Sequence, residues 1–282
     1  MKSVVVTGAS TGIGWGCVKV LIGAGFRVFG SVRKEADANR LKAEFGANFV
    51  PLLFDVTDAA AVKKGAEVAT RQLGGETLFG LVNNAGIAVP GPLLFLDVDE
   101  FRQQLDVNLT GQLIVTQAFA PLLGADTSRK GAPGRIVNIT SVGGRNANPF
   151  LGPYNTSKFG FEGFSEALRR ELMIYGIDVI VVAPGAVATP IWDKADTVDV
   201  TRYANTPYAT ALNAVKSYML ENGRKGLAPE RIGETVLTAL TASRPKVHYT
   251  VTPEPFQNWM MLHFPKRFLD RMIAGRLGLR RN

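Results

Sequence analysis

The chain has 282 residues, 46% of them apolar and 20% charged, which supplies a sizeable core and excludes wholesale disorder. A single cysteine, Cys17, excludes an internal disulfide framework, and two histidines leave little for a metal site. Lys and Arg number 32 against 24 Asp and Glu, and the resulting +8 admits nucleic acid, anionic lipid or a phosphorylated cofactor as partner.

In chain order, residues 3–6 predict a buried strand and 12–24 a helix, followed by strand 27–32, helix 34–45, strand 49–54 and helix 58–73. Strand 78–82 comes next, then a helix over 97–123 with a break near Asn108. Strand 135–140, helix 154–175, strand 178–182, helix 230–242 and strand 246–251 complete the series. Short apolar strands separated by helices are buried on both faces of a parallel sheet. The expectation is a doubly wound α/β fold of Rossmann type, one domain over residues 1–282.

Two stretches break the rhythm. Residues 124–134 form a polar loop rich in Gly and Pro, and 184–226 leave a strand in mixed, weakly periodic sequence, where a substrate lid is expected. A C-terminal extension over about 253–282 carries Lys266, Arg267, Arg271, Arg276, Arg280 and Arg281 against Asp270. A solvated basic tail is the simpler reading, and an amphipathic membrane anchor using Trp259 and 260–279 is the sharper one. No apolar run reaches the ~18 residues of a membrane span, and Gly8 interrupts the N-terminal run before a signal core forms. A cytoplasmic location is expected, with no nucleic-acid partner.

Between the first strand and first helix lies Thr7-Gly8-Ala9-Ser10-Thr11-Gly12-Ile13-Gly14. Glycines there permit a sharp turn, close approach of a pyrophosphate and tight helix–strand packing, so the turn points to a dinucleotide. Phosphates would meet free N–H groups at the positive helix end. Tyr154 and Lys158 are spaced i, i+4 on a helix opened by Pro153, one turn apart on one face, and Ser141 follows a strand. All three therefore arrive at the edge of the sheet where the glycine turn also lies.

Together these residues resemble the single-domain branch of the short-chain dehydrogenase/reductase family. The matching segments are TGASTGIG at 7–14, Asp55 in FDVTD, NNAG at 83–86, Asn108 in DVNLTG, Ser141, Tyr154 with Lys158, and Pro184-Gly185 with Thr189, in family order over residues 3 to about 190. The resemblance implies a hydride transfer between NADP(H) or NAD(H) and an alcohol or carbonyl compound. Tyr154 would be the general acid/base, Ser141 would orient the substrate oxygen, Lys158 would hold the ribose and lower the tyrosine pKa, and Asn108 would keep a water in a proton relay. Gly8, Ser10, Thr11, Gly12, Ile13 and Gly14 would cradle the cofactor; Asp55 and Val56 would meet the adenine; Asn84, Ala85 and Gly86 would line the site; Pro184, Val187 and Thr189 would meet the carboxamide. The resemblance also implies a homodimer or homotetramer.

Cofactor choice is read at the end of the second strand. An acidic residue there binds the ribose hydroxyls of NAD, but this chain has Val32 followed by Arg33 and Lys34, so Arg33 is expected to meet a 2′-phosphate and NADP(H) to be preferred over NAD(H). Cys17 reads as a core residue, and His248 and His263 as packing or surface groups. Trp192 and Tyr203 are candidates for substrate contact. The absence of a charge cluster in the lid favours a lipophilic or bulky secondary alcohol or ketone. Readings from other classes are a catalytically silent dinucleotide-binding regulator and a membrane-surface binder acting through the basic tail.

Overall fold

The computed structural model describes residues 1–190 and 199–279. Its strands are β1 (Ser3–Val6), β2 (Arg27–Val32), β3 (Phe49–Leu53), β4 (Gly80–Asn83), β5 (Arg135–Ile139), β6 (Asp178–Pro184) and β7 (His248–Val251), joined in one sheet in the order β3-β2-β1-β4-β5-β6-β7. Every pair is parallel, with register such as Val5 beside Phe29 and Leu81. Because side chains alternate across a strand, Val4 and Val6 enter one apolar cluster while Val5 enters the other.

The first cluster lies under α1 (Gly12–Gly23), α2 (Glu35–Phe45) and a late helix at Pro229–Thr241. The second lies under α3 (Ala59–Leu73), α5 (Gly111–Phe119) and the end of α6 (Gly152–Glu171), α4 being Val98–Leu105. Asp58 caps α3 by accepting the Ala61 amide, and Gly74, in the left-handed region, closes it. The break expected near Asn108 is a single π-helical turn, Asp106–Thr110, between α4 and α5.

The C-terminal part differs from the sequence expectation. The weakly periodic lid contains α7 (Ala209–Arg224), followed by α8 (Pro229–Thr241). The tail folds as α9 (Pro255–His263) and α10 (Lys266–Leu277), and its described cations Lys266, Arg267, Arg271 and Arg276 are exposed to solvent. Leu269 is buried on α10, and Leu277 and Leu279 pack with Phe150, Tyr203, Tyr208 and Leu212 in a third apolar cluster. Contact with α7 through Arg276 and Tyr218, together with the third cluster, holds α10. Trp192, Arg280 and Arg281 lie outside the described residues. No described helix is long and apolar enough to cross a membrane.

Candidate active site

Strand order reverses between β1 and β4, and the glycine turn sits at their carboxyl ends, where doubly wound sheets bind ligands. Thr7 ties the two strand ends together: its Oγ1 accepts the amides of Asn84 (2.9 Å) and Ala85 (3.0 Å), while Asn84 Nδ2 donates to the Thr7 carbonyl (2.9 Å). Gly8 donates its amide to Ser31 Oγ at 3.0 Å. Gly14 tolerates no side chain, because a Cβ there would stand 2.1 Å from the Gly8 carbonyl oxygen. Gly12 has φ +57°, which disfavours any L side chain, and Thr189 stands over it.

The N-terminus of α1 fits a dinucleotide pyrophosphate. Thr11, its cap residue, makes no side-chain cap hydrogen bond, and the first turn contains no acidic residue. Amides at Gly12 and Ile13 therefore start a helix whose positive end is not neutralised by the chain itself. Arg40, a residue the sequence reading did not single out, donates from Nη2 to the Ser10 carbonyl at 2.6 Å and fixes the turn from α2.

A cavity of about 640 Å³ opens at the other end of this cleft, lined in part by Arg33, Asp55, Thr57, Ile87 and Thr110. Burial acts to raise the Asp55 pKa, but the Thr57 amide and hydroxyl and the Arg33 guanidinium outweigh it and hold the carboxyl below its ordinary value. Arg33 Nη1 lies 3.5 Å from Asp55 Oδ2 and is largely exposed. Val32 is buried, so no carboxylate stands at the strand end. The Val56 side chain belongs to the core, packed towards Gly111, which leaves only its backbone for an adenine.

The catalytic candidates meet where β5, α6 and the end of β6 converge. Ser141 caps the turn after β5: its Oγ accepts the Gly143 amide at 3.0 Å and reaches the Pro184 carbonyl at 3.5 Å. The Tyr154 hydroxyl is hydrogen-bonded to Ser141, yet burial outweighs this bond and raises the phenol above its ordinary pKa. Lys158 is buried, donates to the Ile139 carbonyl at 2.9 Å, and stands 5.8 Å from the centre of the Tyr154 ring. Burial lowers its pKa to about 8, with the Glu162 carboxylate opposing that fall. The expected lowering of the tyrosine pKa is thus not achieved by the protein groups alone, because burial of the phenol outweighs the Ser141 hydrogen bond.

Glu162, also missed from sequence, lies one turn beyond Lys158. It accepts from Thr140 Oγ1 at 2.6 Å, and His248 Nε2 on β7 approaches it at 3.4 Å. His248 is therefore part of the support behind the lysine and not simply a packing residue.

Asn108 sits on the π turn, and both its amide hydrogens are used within the protein: Nδ2 donates to the Ile87 carbonyl (3.0 Å) and Ser157 Oγ (3.1 Å), while Oδ1 accepts the Ile87 amide (2.8 Å). Gln104 and Gln112, four residues either side, hold the same loop through Val89, Ile87 and Ala85. Three buried amides at i, i+4 and i+8 clamp the segment that carries Ala85 and Gly86. Their four-residue spacing on an otherwise apolar face is the sequence signal that could have found them.

The remaining candidates separate cleanly. Cys17 is fully buried and burial pushes its thiol up to about 12, so it is core. Tyr203 is buried in the third cluster, and His263 Nδ1 is paired with the Trp259 carbonyl at 2.8 Å.

This arrangement agrees with a match of residues 2–199 to the short chain dehydrogenase profile. The chain belongs to the short-chain dehydrogenase/reductase family. It is 38% identical over 275 residues, 97% of this chain and 96% of the relative, to an NADPH-dependent 3-dehydrocapnine reductase of Ornithobacterium rhinotracheale. Human dehydrogenase/reductase SDR family member 9 is 31% identical over 96% of this chain and 87% of its own length. The fold matches a short chain dehydrogenase/reductase from Burkholderia phymatum in complex with NAD, with a TM-score of 0.79 and 22% identity, covering 96% of this chain and 95% of that one. As a member of this family the chain is an NAD(P)-dependent oxidoreductase acting on alcohols or ketones.

Proposed function

We propose that the chain reduces lipophilic or bulky ketones, or oxidises the matching secondary alcohols, with NADP(H) preferred and NAD(H) as the weaker alternative. The observation that carries the substrate class is an apolar groove of about 190 Å³ lined by Pro92, Leu93, Leu94, Pro149, Phe150, Tyr208 and Leu279. Leu93 packs on Gly152, two residues before Tyr154, so the groove lies next to the catalytic helix end. A nicotinamide cofactor, when bound, gives or takes the hydride and in its oxidised form brings a positive charge to the cleft. The α1 N-terminus, with Ser10, Thr11, Gly12 and Ile13, holds its pyrophosphate; Asp55, Asn84, Ala85, Gly86, Pro184, Val187 and Thr189 line the rest.

Tyr154 donates its phenolic proton to the forming alkoxide in reduction and accepts it back in oxidation. Ser141 donates to the substrate oxygen and fixes its distance from Tyr154. Lys158 keeps a cation one helical turn from the phenol, and Glu162 keeps that lysine protonated. Asn108 acts by position: with both amide hydrogens committed, it holds Ile87 and Ser157, and any relay water must use its remaining oxygen lone pair or the backbone.

Arg33 supports the NADP(H) preference, since its guanidinium is exposed at the strand end where a carboxylate would favour NAD. The relative from Ornithobacterium, named as NADPH-dependent, supports it too. The described parts of the stretch 184–226, residues 184–190 and 199–226, belong to the substrate lid, and the outer faces of α5 and α6, where Leu113 and Phe159 are exposed, join subunits into a dimer or tetramer.

Initial rates with NADPH and NADH across ketones of increasing alkyl length test the reading. Expected is a rise of kcat/KM with chain length and a preference for NADPH; a flat series, or best activity on small charged ketones, would overturn the substrate class.

A further inference from the structure

The tail helices expose an apolar face that the dehydrogenase reading leaves unused. Phe256 and Trp259 stack with centroids 6.2 Å apart, Trp259 stacks on His263 at 5.0 Å, and Trp259 meets Phe264 edge-on at 6.2 Å. Phe264 in turn meets Phe268 at 5.9 Å, and Met272 follows one turn later on α10. This run of rings is not core: Phe256 is 73% exposed, Trp259 49%, Phe268 53% and Met272 41%. An adjoining side of α10 already has its partners, since Leu269 is buried and Leu277 joins the third cluster. Folding therefore does not need the outer face.

We propose that this face of α9 and α10 docks on an anionic lipid bilayer. Its charge selects the occupant. Lys266, Arg267, Arg271 and Arg276 lie along α10 with Asp270 as the single acidic residue of that helix. A second copy of the chain would bring the same cations against each other within two molecules of net charge +8 each. An anionic surface reverses the sign of that term. Rings and a methionine at the depth of the headgroups, with long cationic side chains reaching out to phosphates, are the pattern of an interfacial helix. The cations are not all idle in the chain: Arg276 stands 5.0 Å over the Tyr218 ring, which fixes α10 to α7. Leu279, just beyond α10, lines the apolar groove. Docking itself needs no substrate, so failure of the ketone reading would leave it intact.

Co-sedimentation of the full chain with vesicles of phosphatidylcholine alone, and of phosphatidylcholine mixed with phosphatidylglycerol, tests the proposal. Expected is binding to the anionic vesicles that weakens with added salt. Trp259→Ser with Phe268→Ser should abolish it, and Lys266→Gln with Arg267→Gln should weaken it roughly 25-fold, about fivefold per cation. Turnover of a small water-soluble ketone should be unchanged in both variants, which reports that they fold. Absence of anionic binding at low salt, equal binding to neutral vesicles, or retained binding by the aromatic variant would each overturn the proposal. So would a loss of subunit association in the aromatic variant, measured by sedimentation without lipid, because the face would then be an interface between copies.

Discussion

Residues 3–190 and residues 199–279 are stabilised in different ways. Among the described residues, every buried non-aromatic polar side chain, from Ser3 to Ser165, lies in the first region. Those groups pair with each other and with the loops around the candidate site: Thr7 with Asn84, Gln104 with Val89, Asn155 with Gly143 at 2.7 Å. A satisfied buried hydrogen bond tolerates little displacement, so the network gives the site one geometry. The second region packs Tyr203, Leu212, Leu277 and neighbours by apolar contact, which is proportional to area and indifferent to direction. Phe150, where they meet, is the single non-glycine residue with positive φ among those described, at +64°, and its ring packs on Tyr208.

The sharpest break of the first region is chemical. Tyr154→Phe removes the acid/base group and keeps the ring, so kcat with saturating cofactor should fall by about 10²–10⁴ while cofactor affinity survives. Near-normal turnover would remove Tyr154 from the mechanism.

Arg33→Ala probes the cofactor end. Loss of a charged hydrogen bond of roughly 1.5–3 kcal/mol should weaken NADP(H) binding about 10–150-fold and leave NAD(H) nearly unchanged. Titration of both cofactors decides it, and equal losses would show that Arg33 acts only through its pairing with Asp55.

Glu162→Gln should act more gently, through pH. The Glu162 charge opposes the burial that lowers the Lys158 pKa to about 8, so its removal lowers that pKa further. Lys158 then loses its proton at lower pH, and the alkaline limb of the kcat profile should move towards neutrality. The amide oxygen of Gln can still accept from Thr140, which separates the charge from the hydrogen bond. An unmoved limb would mean that Glu162 serves only to hold the strand end.

The smallest effect is a gain. A Cβ on Gly163, on the exposed side of α6, meets nothing within 4 Å. Gly163→Ala should therefore stabilise the chain by about 0.5–1 kcal/mol in thermal unfolding of the isolated subunit. Destabilisation, or loss of subunit association, would place that face in a tight interface.

By itself the sequence determined the order of strands through β7, the helices between them apart from α7, and the glycine turn, because period, turn residues and apolar runs are local properties of the chain. It also marked Ser141, Tyr154 and Lys158 as a candidate site, and the structure brings the three side chains together. Only the tertiary structure revealed the clamp of Gln104, Asn108 and Gln112, the pairing of Glu162 with Thr140 and His248, and the contact of Arg40 with Ser10. Glu162 and Arg40 carry no local signature, since each acts on groups far away in sequence, as Glu162 reaches His248 across 86 positions, whereas the clamp residues are marked only by their four-residue spacing. The tail was legible in composition but not in form. α10 is held because one side finds α7 and the third cluster, and that contact exists only once the chain has folded.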